Sequence, residues 1–387
     1  MTEVRWPLMK NAITDDDRRA LVNFINNSER YTNGPIVRLF EKRWAEWVGS
    51  KHALMVSSGS TANFLIVAAI KELYNLQDGD KVLLPACTWV TTVSPYIQLG
   101  LTPIFADINL NDYSYDREHL AVIARVHPDI KVVSVTHLLG YPAPRNFDEF
   151  WPDALVIDDV CESHGCEESN GVRVGANSLA ASYSFYFGHH MTTIEGGVIS
   201  TNNEELYDLM RMKRSHGLAR ESDNFEQWAE KYPHIDRQFL FITDGYNFRS
   251  TDFNAVLGLT QLERLDSNVD IRRANYAEFA KIVNSRPELF YPVAEAPLNS
   301  NFAFPFICRD RSTMLKLKQN FADNGIEYRP VVGGNLLRQP FLKNYNFGYP
   351  KNESTADIVN DNGVYIGNSH FVTLEDMKWL EGIVGSL

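Results

Sequence analysis

Cysteine is scarce in this chain of 387 residues: Cys87, Cys161, Cys166 and Cys308 are all there are. Only Cys161 and Cys166 lie close together, and their spacing fits no zinc or iron–sulfur pattern, so a disulfide framework and a cysteine-held cluster are both disfavoured. Free thiols in a reducing cytoplasm are the reading that remains. Positive charge is also short, with 37 Lys and Arg against 49 Asp and Glu, a net charge of -12. Nucleic acid is therefore not expected as a main partner, because phosphate neutralisation needs a basic face. A nucleotide ligand is still compatible, since backbone N–H groups can hold it. Long apolar runs are missing: none approaches about 18 residues, so no membrane span is expected. The opening "MTEVRWPLMKNAITDDD" has early acids and no apolar core, so it is not read as a signal peptide. One absence is local. There is no lysine between Lys131 and Lys213.

What is present is ordinary for a globular protein, 44% apolar and 22% charged. The length exceeds one simple core and suggests two domains. "TDDDRRALVNFINNS" predicts a helix with Thr14 as N-cap, and "IVRLFEKRWAEWVG" a second helix stopped by Gly49. Then "HALMV", "DKVLLP", "TPIFA", "IKVVSVT", "ALVIDD" and "GGVIST" read as strands, several of them followed by turns into helical segments. That alternation predicts an α/β fold with a mostly parallel sheet flanked by helices, and binding groups at the carboxyl ends of its strands. From about residue 255 the stretch "FNAVLGLTQLERLDSNVDIRRANYAEFAKIVN" reads as one long helix. A smaller α+β domain follows, with "NFAFPFICRD" as a strand, "STMLKLKQNFADNG" as a helix stopped by Gly325, and "IEYRPVV" as a further segment. The division expected is residues 1–255 and 256–387.

Four stretches could carry chemistry. "SSGSTAN" turns from a strand into a helix around Gly59 and Ser60. Its hydroxyls and helix-start N–H groups converge as an anion site would, or simply cap the helix. "DDVCESHG" places Asp158 and Asp159 at a strand end. A buried carboxylate there needs a cationic partner such as a protonated pyridine nitrogen, unless it is a helix N-terminal acid. "PACTWVT" puts Trp89 at another strand-to-helix turn, where its ring either stacks on a flat ligand or joins the core. "SFYFGHHMTTIEGG" runs from Ser184 through His189 and His190 to Gly197. Adjacent histidines point apart and no His-x-x-x-His helix supports them, so no metal is expected.

Taken in order, "GPIVRLFEKRWAEWVGSKHALMVSSGSTAN", "GDKVLLPACTWV", "PIFADIN", "VIDDVCESHG", "SFYFGHHMTTIEGG", "RSHGLAR", "GYNFR" and "VLGLTQLERLD" resemble the DegT/DnrJ/EryC1/StrS sugar aminotransferases over most of the chain. The resemblance implies the type I pyridoxal-phosphate fold (the aspartate aminotransferase-like fold) and a homodimer with sites at the interface. By the same resemblance Asp159 would pair with the pyridine nitrogen, Glu162 would lie near the phenolic oxygen, and Trp89 would stack on the ring. Gly59, Ser60 and Ser184 would hold the phosphate, with Asn247 reaching in from the other subunit. Arg249 would take the glutamate carboxylate, and His216 and Arg329 the sugar side.

The family pattern is Ser-Phe-x-x-x-Lys followed by Glu-Gly-Gly. Counted from Ser184 and back from Glu195, the lysine position falls on His189. A lysine anchors the cofactor covalently and moves protons; a histidine can do only the second, with an ordinary pKa of about 6.5 suited to it. The cofactor, pyridoxal or pyridoxamine phosphate, would be held noncovalently, with L-glutamate as the amine source. The chain resembles a histidine-bearing branch that dehydrates GDP-4-keto-6-deoxymannose at C3, releasing ammonia. A second histidine branch uses an iron–sulfur cluster, which the scattered cysteines do not support. The alternatives are a related pyridoxamine enzyme on another nucleotide sugar, and a cofactor-binding protein without chemistry. The pathway expected is deoxysugar and lipopolysaccharide O-antigen biosynthesis.

Overall fold

A computed structural model describes residues 4–295, 297–343, 345 and 354–387. Its main sheet has seven strands: β1 (His52–Val56), β2 (Lys81–Pro85), β3 (Thr102–Ala106), β4 (Ile130–Thr136), β5 (Leu155–Asp159), β6 (Ala181–Ser184) and β7 (Gly197–Thr201), in the order β1-β7-β6-β5-β4-β2-β3. The pairings from β6 to β3 are parallel; β7 runs against both of its neighbours. A second, antiparallel sheet holds β8 (Ala303–Ile307), β9 (Tyr328–Arg329) and β10 (Gly363–Gly367), in the order β8-β10-β9.

The apolar strands are buried because both faces of the main sheet are covered, as parallel sheets require. Side chains alternate along β1. Leu54 and Val56 pack with Leu65, Ile66 and Ile70 of the helix Gly59–Leu73. Ala53 and Met55 pack on the other side with Phe40 and Trp44 of the helix Pro35–Val48. The expected stops are present: Thr14 caps Asp15–Asn27 in a capping box, and Gly49 takes φ +91° after Val48.

The predicted long helix is two. Asp252–Leu262 ends at Glu263, and Leu265–Asn284 begins after Arg264, whose backbone leaves helical geometry at φ -114°, ψ 4°. The Arg264 guanidinium is drawn to Asp17, and its Nη1 donates to that carboxylate at 3.0 Å. Asp17 is fully buried, so this distant ion pair overrides the local helical pattern. "IEYRPVV" contributes only Tyr328–Arg329 to a strand. The start of the chain packs on the small sheet: the Trp6 indole donates to the Gly367 carbonyl at 2.8 Å, and Glu327 N–H donates to the Trp6 carbonyl at 2.9 Å.

One buried ion pair ties β1 to the helices behind it. Arg214, at the end of the helix Glu204–Arg214, donates to Glu41 at 2.6 Å and to the Met55 carbonyl at 2.7 Å. Glu41 also accepts from Met55 N–H at 2.9 Å. Removing one partner leaves a buried charge alone. Glu41→Ala is expected to cost about 3–5 kcal/mol, read as a lowered urea midpoint.

Candidate active site

A pocket of about 250 Å³ opens at the carboxyl ends of the parallel strands. It is lined by Gly59, Ser60, Trp89, Asp159, Glu162, Ser184, His189 and Arg329, so eight of the residues singled out from sequence meet in one place. Asn247, Arg249 and His216 do not line it. They stand together elsewhere: Arg249 Nε donates to Asn247 Oδ1 at 3.0 Å, and its Nη2 lies 3.4 Å from His216 Nε2.

Asp159 is the last residue of β5 and is 7% exposed. Its Oδ2 accepts from Asn63 Nδ2 at 2.8 Å and Thr92 Oγ1 at 2.7 Å, and its Oδ1 accepts from Cys161 N–H at 3.1 Å. No helix starts here, so the alternative of a helix-cap acid does not hold. Strand alternation sends Asp158 the other way, toward Arg145 Nε at 3.0 Å, His137 Nε2 at 3.6 Å and Ser178. Burial would raise the Asp158 pKa, but His137 and Arg145 outweigh it and hold the carboxyl below its usual range.

Ser58 caps the helix Gly59–Leu73 with a capping box, and Gly59 and Ser60 form its first turn at the pocket floor. A Cβ on Gly59 would stand 2.6 Å from Ser184 Cβ and 3.0 Å from Cys161 Sγ, so glycine is what lets this turn approach β6. Hydroxyls and helix-start N–H groups together make an anion cradle. Trp89 is 53% exposed at the start of the helix Val90–Gln98, which rules out the core reading and leaves its ring free at the pocket.

His189 faces the pocket with its Nδ1 buried and unpartnered. Burial pushes its pKa down to about 4; Asp159 pulls upward and Arg272 pushes further down. The ring is therefore neutral at pH 7, as a proton acceptor must be. His190 points away and sits 2.7 Å from the Ser300 carbonyl, too buried to share the pocket. Glu162 Oε2 accepts from Leu139 N–H at 2.8 Å, and burial lifts its pKa to about 7, with the Asp159 charge adding to the rise.

Sequence reasoning missed other lining residues. Asn63 stood inside "SSGSTAN", and His137 follows β4 as Asp159 ends β5, so their positions carried a signal. Leu8 and Met9 come from the chain start, Phe302 from the residue before β8 and Tyr365 from β10, and no local pattern announced them. Among the described residues, no group of three or more His, Cys, Asp or Glu is placed to hold a metal, and no helix is long and apolar enough to cross a membrane.

A strand-end carboxylate, a helix-start turn of hydroxyls and N–H groups, an exposed aromatic ring and a neutral imidazole meet around one pocket. The chain belongs to the DegT/DnrJ/EryC1/StrS aminotransferase family, whose model matches residues 12–379. It is 32% identical over 393 aligned positions to the GDP-4-keto-6-deoxy-D-mannose 3-dehydratase of Escherichia coli O55:H7, covering 98% of this chain and 100% of that protein. The structure of the E. coli GDP-4-keto-6-deoxy-D-mannose-3-dehydratase with bound hydrated PLP superposes with a TM-score of 0.85, at 30% identity over 99% of this chain and 100% of that one. That of a GDP-4-keto-6-deoxymannose-3-dehydratase with a trapped PLP-glutamate geminal diamine gives 0.83, at 30% identity over 98% and 100%. The fold is the PLP-dependent aminotransferase fold, with the small antiparallel sheet set beside the large one.

The raised Glu162 pKa makes a pH prediction. Between pH about 4.5 and 7 the unfolded carboxyl is ionised while the folded one keeps its proton, so stability falls as pH rises through that window. The fall is about 3 kcal/mol at most and levels off above it. Glu162→Gln is expected to flatten that slope in denaturation curves taken across the window.

Proposed function

We propose that this chain is a pyridoxamine-phosphate-dependent 3-dehydratase of a nucleotide-linked 4-keto-6-deoxy sugar, GDP-4-keto-6-deoxymannose first, with L-glutamate supplying the amine. One observation carries the reading: the pocket keeps Asp159 and the Gly59–Ser60 turn, yet His189 stands where the family's lysine stands. The likeness to two 3-dehydratase structures, one holding PLP and one holding PLP with glutamate, supports it.

When bound, the cofactor supplies an amine that condenses with a carbonyl and a pyridine ring that accepts electrons. Asp159, fixed by three donors, would face the pyridine nitrogen and favour its protonated form. Gly59, Ser60 and Ser184 would hold the phosphate, Trp89 would cover the ring, and Glu162 would lie toward the phenolic oxygen. Without a lysine these contacts carry the whole of cofactor retention. Neutral His189 would take the proton at the cofactor's C4′ carbon and pass it to the sugar's C3 hydroxyl, which would leave as water. With no lysine amine to displace the product, water would release it, and hydrolysis of the C4–N bond of the unsaturated sugar would free ammonia. Over the cycle the sugar loses one oxygen, and glutamate becomes 2-oxoglutarate.

Arg329 lies on the sugar side of the same pocket. Asn247, Arg249 and His216 complete the partner's pocket in a homodimer, which accounts for their standing together away from this chain's own. A cytoplasmic location belongs to the same reading, since nucleotide sugars are made there.

Incubation with pyridoxal phosphate, glutamate and GDP-4-keto-6-deoxymannose is expected to give a nucleotide sugar lighter by one oxygen and an equivalent of ammonia, read by mass spectrometry and an ammonia assay. An amino sugar instead would contradict the reading. His189→Asn is expected to lower turnover by at least about 100-fold while cofactor binding, read by absorbance, persists. His189→Lys is expected to capture pyridoxal phosphate covalently and lose dehydration; full dehydratase activity in that variant would remove His189 from the role of base.

A further inference from the structure

Behind His189 lies a second, smaller cavity of about 10 Å³, room for one water-sized body. His189, Gly188, Leu8, Met9 and Phe302 line both cavities, so a single layer of side chains separates them. The small one is also lined by Arg272, His370 and Lys10.

Arg272 is the unusual group. It projects from the helix Leu265–Asn284, is 4% exposed, and donates to the Asn368 carbonyl, while its Nε has no partner. Among the described residues no carboxylate lies within ion-pair distance of it, although the neighbouring Arg264 and Arg273 are paired with Asp17 and Glu167. The groups around it are histidines: His164, His189, His190 and His370 all have pKa values lowered by burial first and by the Arg272 charge as well. Desolvation alone acts on Arg272 itself and brings it down to about 10, so it stays cationic at neutral pH. A buried cation among neutral rings is costly, and an anion in the adjoining space is what offsets it.

We propose that Arg272 and the cavity it lines bind one free chloride ion. Size limits the occupant to a single atom, and charge requires it to be negative. His370 and the Lys10 rim add donors on the same side.

Chloride NMR linewidths of the wild type and Arg272→Met test this without any turnover. Broadening in the wild type that Arg272→Met abolishes and Arg272→Lys partly restores is the expected result. Glutamate added to the same samples is expected to leave the broadening in place. Equal linewidths in wild type and Arg272→Met, or broadening that glutamate removes, would overturn the proposal even if the dehydratase reading stands.

Discussion

The site depends on one carboxylate held still at a strand end. Asp159 closes β5, and the groups that hold it come from three other places: Asn63 in the helix after β1, Thr92 in the helix after β2, and the turn at Cys161. His137 N–H also donates to the Asp159 carbonyl at 3.0 Å, fastening the end of β4 to it. A parallel sheet brings these segments to a common edge, because each strand delivers its following turn to the same side. Bonds of this kind to a carboxylate are each worth about 1.5–3 kcal/mol, enough to fix its rotamer.

Around that point two groups have pKa values pushed in opposite directions. Glu162 is raised to about 7 and His189 lowered to about 4, in both cases chiefly because burial disfavours the charged form. The pocket thus offers a neutral base and a carboxyl near its titration point beside a firmly placed anion. Separated acid and base strengths in one cleft are what proton-moving chemistry requires. The replacement of a lysine by His189 changes what that chemistry can finish with, since an imidazole accepts a proton but forms no covalent hold on an aldehyde.

Much of this was readable along the chain. The alternation of apolar strands with turns and helices predicted the sheet, and strand ends marked Gly59, Trp89 and Asp159, while the family's lysine spacing marked His189. Those signals are local: a turn, a cap, a strand end. What stayed hidden was set by contacts across hundreds of residues. The break at Arg264 follows from Asp17, the pocket wall at Leu8 and Met9 from the packing of Trp6 on Gly367, and the bond of Thr92 to Asp159 from the arrangement of the sheet. Nothing local marks Arg272; its burial and its lack of a carboxylate partner among the described residues are set by the fold. Asn247, Arg249 and His216 were grouped with the pocket by resemblance, and they lie off this chain's own cavity, in contact with one another.

The central claim is that Asp159 and His189 address the two ends of one cofactor ring system. A crystal structure of the protein grown with pyridoxal phosphate and glutamate tests it most directly. The account predicts the pyridine nitrogen within hydrogen-bond distance of Asp159, the phosphate at the Gly59–Ser60 turn, and the His189 imidazole facing the reactive carbon with no covalent link to the protein. A cofactor bound away from Asp159, or joined to a lysine elsewhere in the chain, would contradict it.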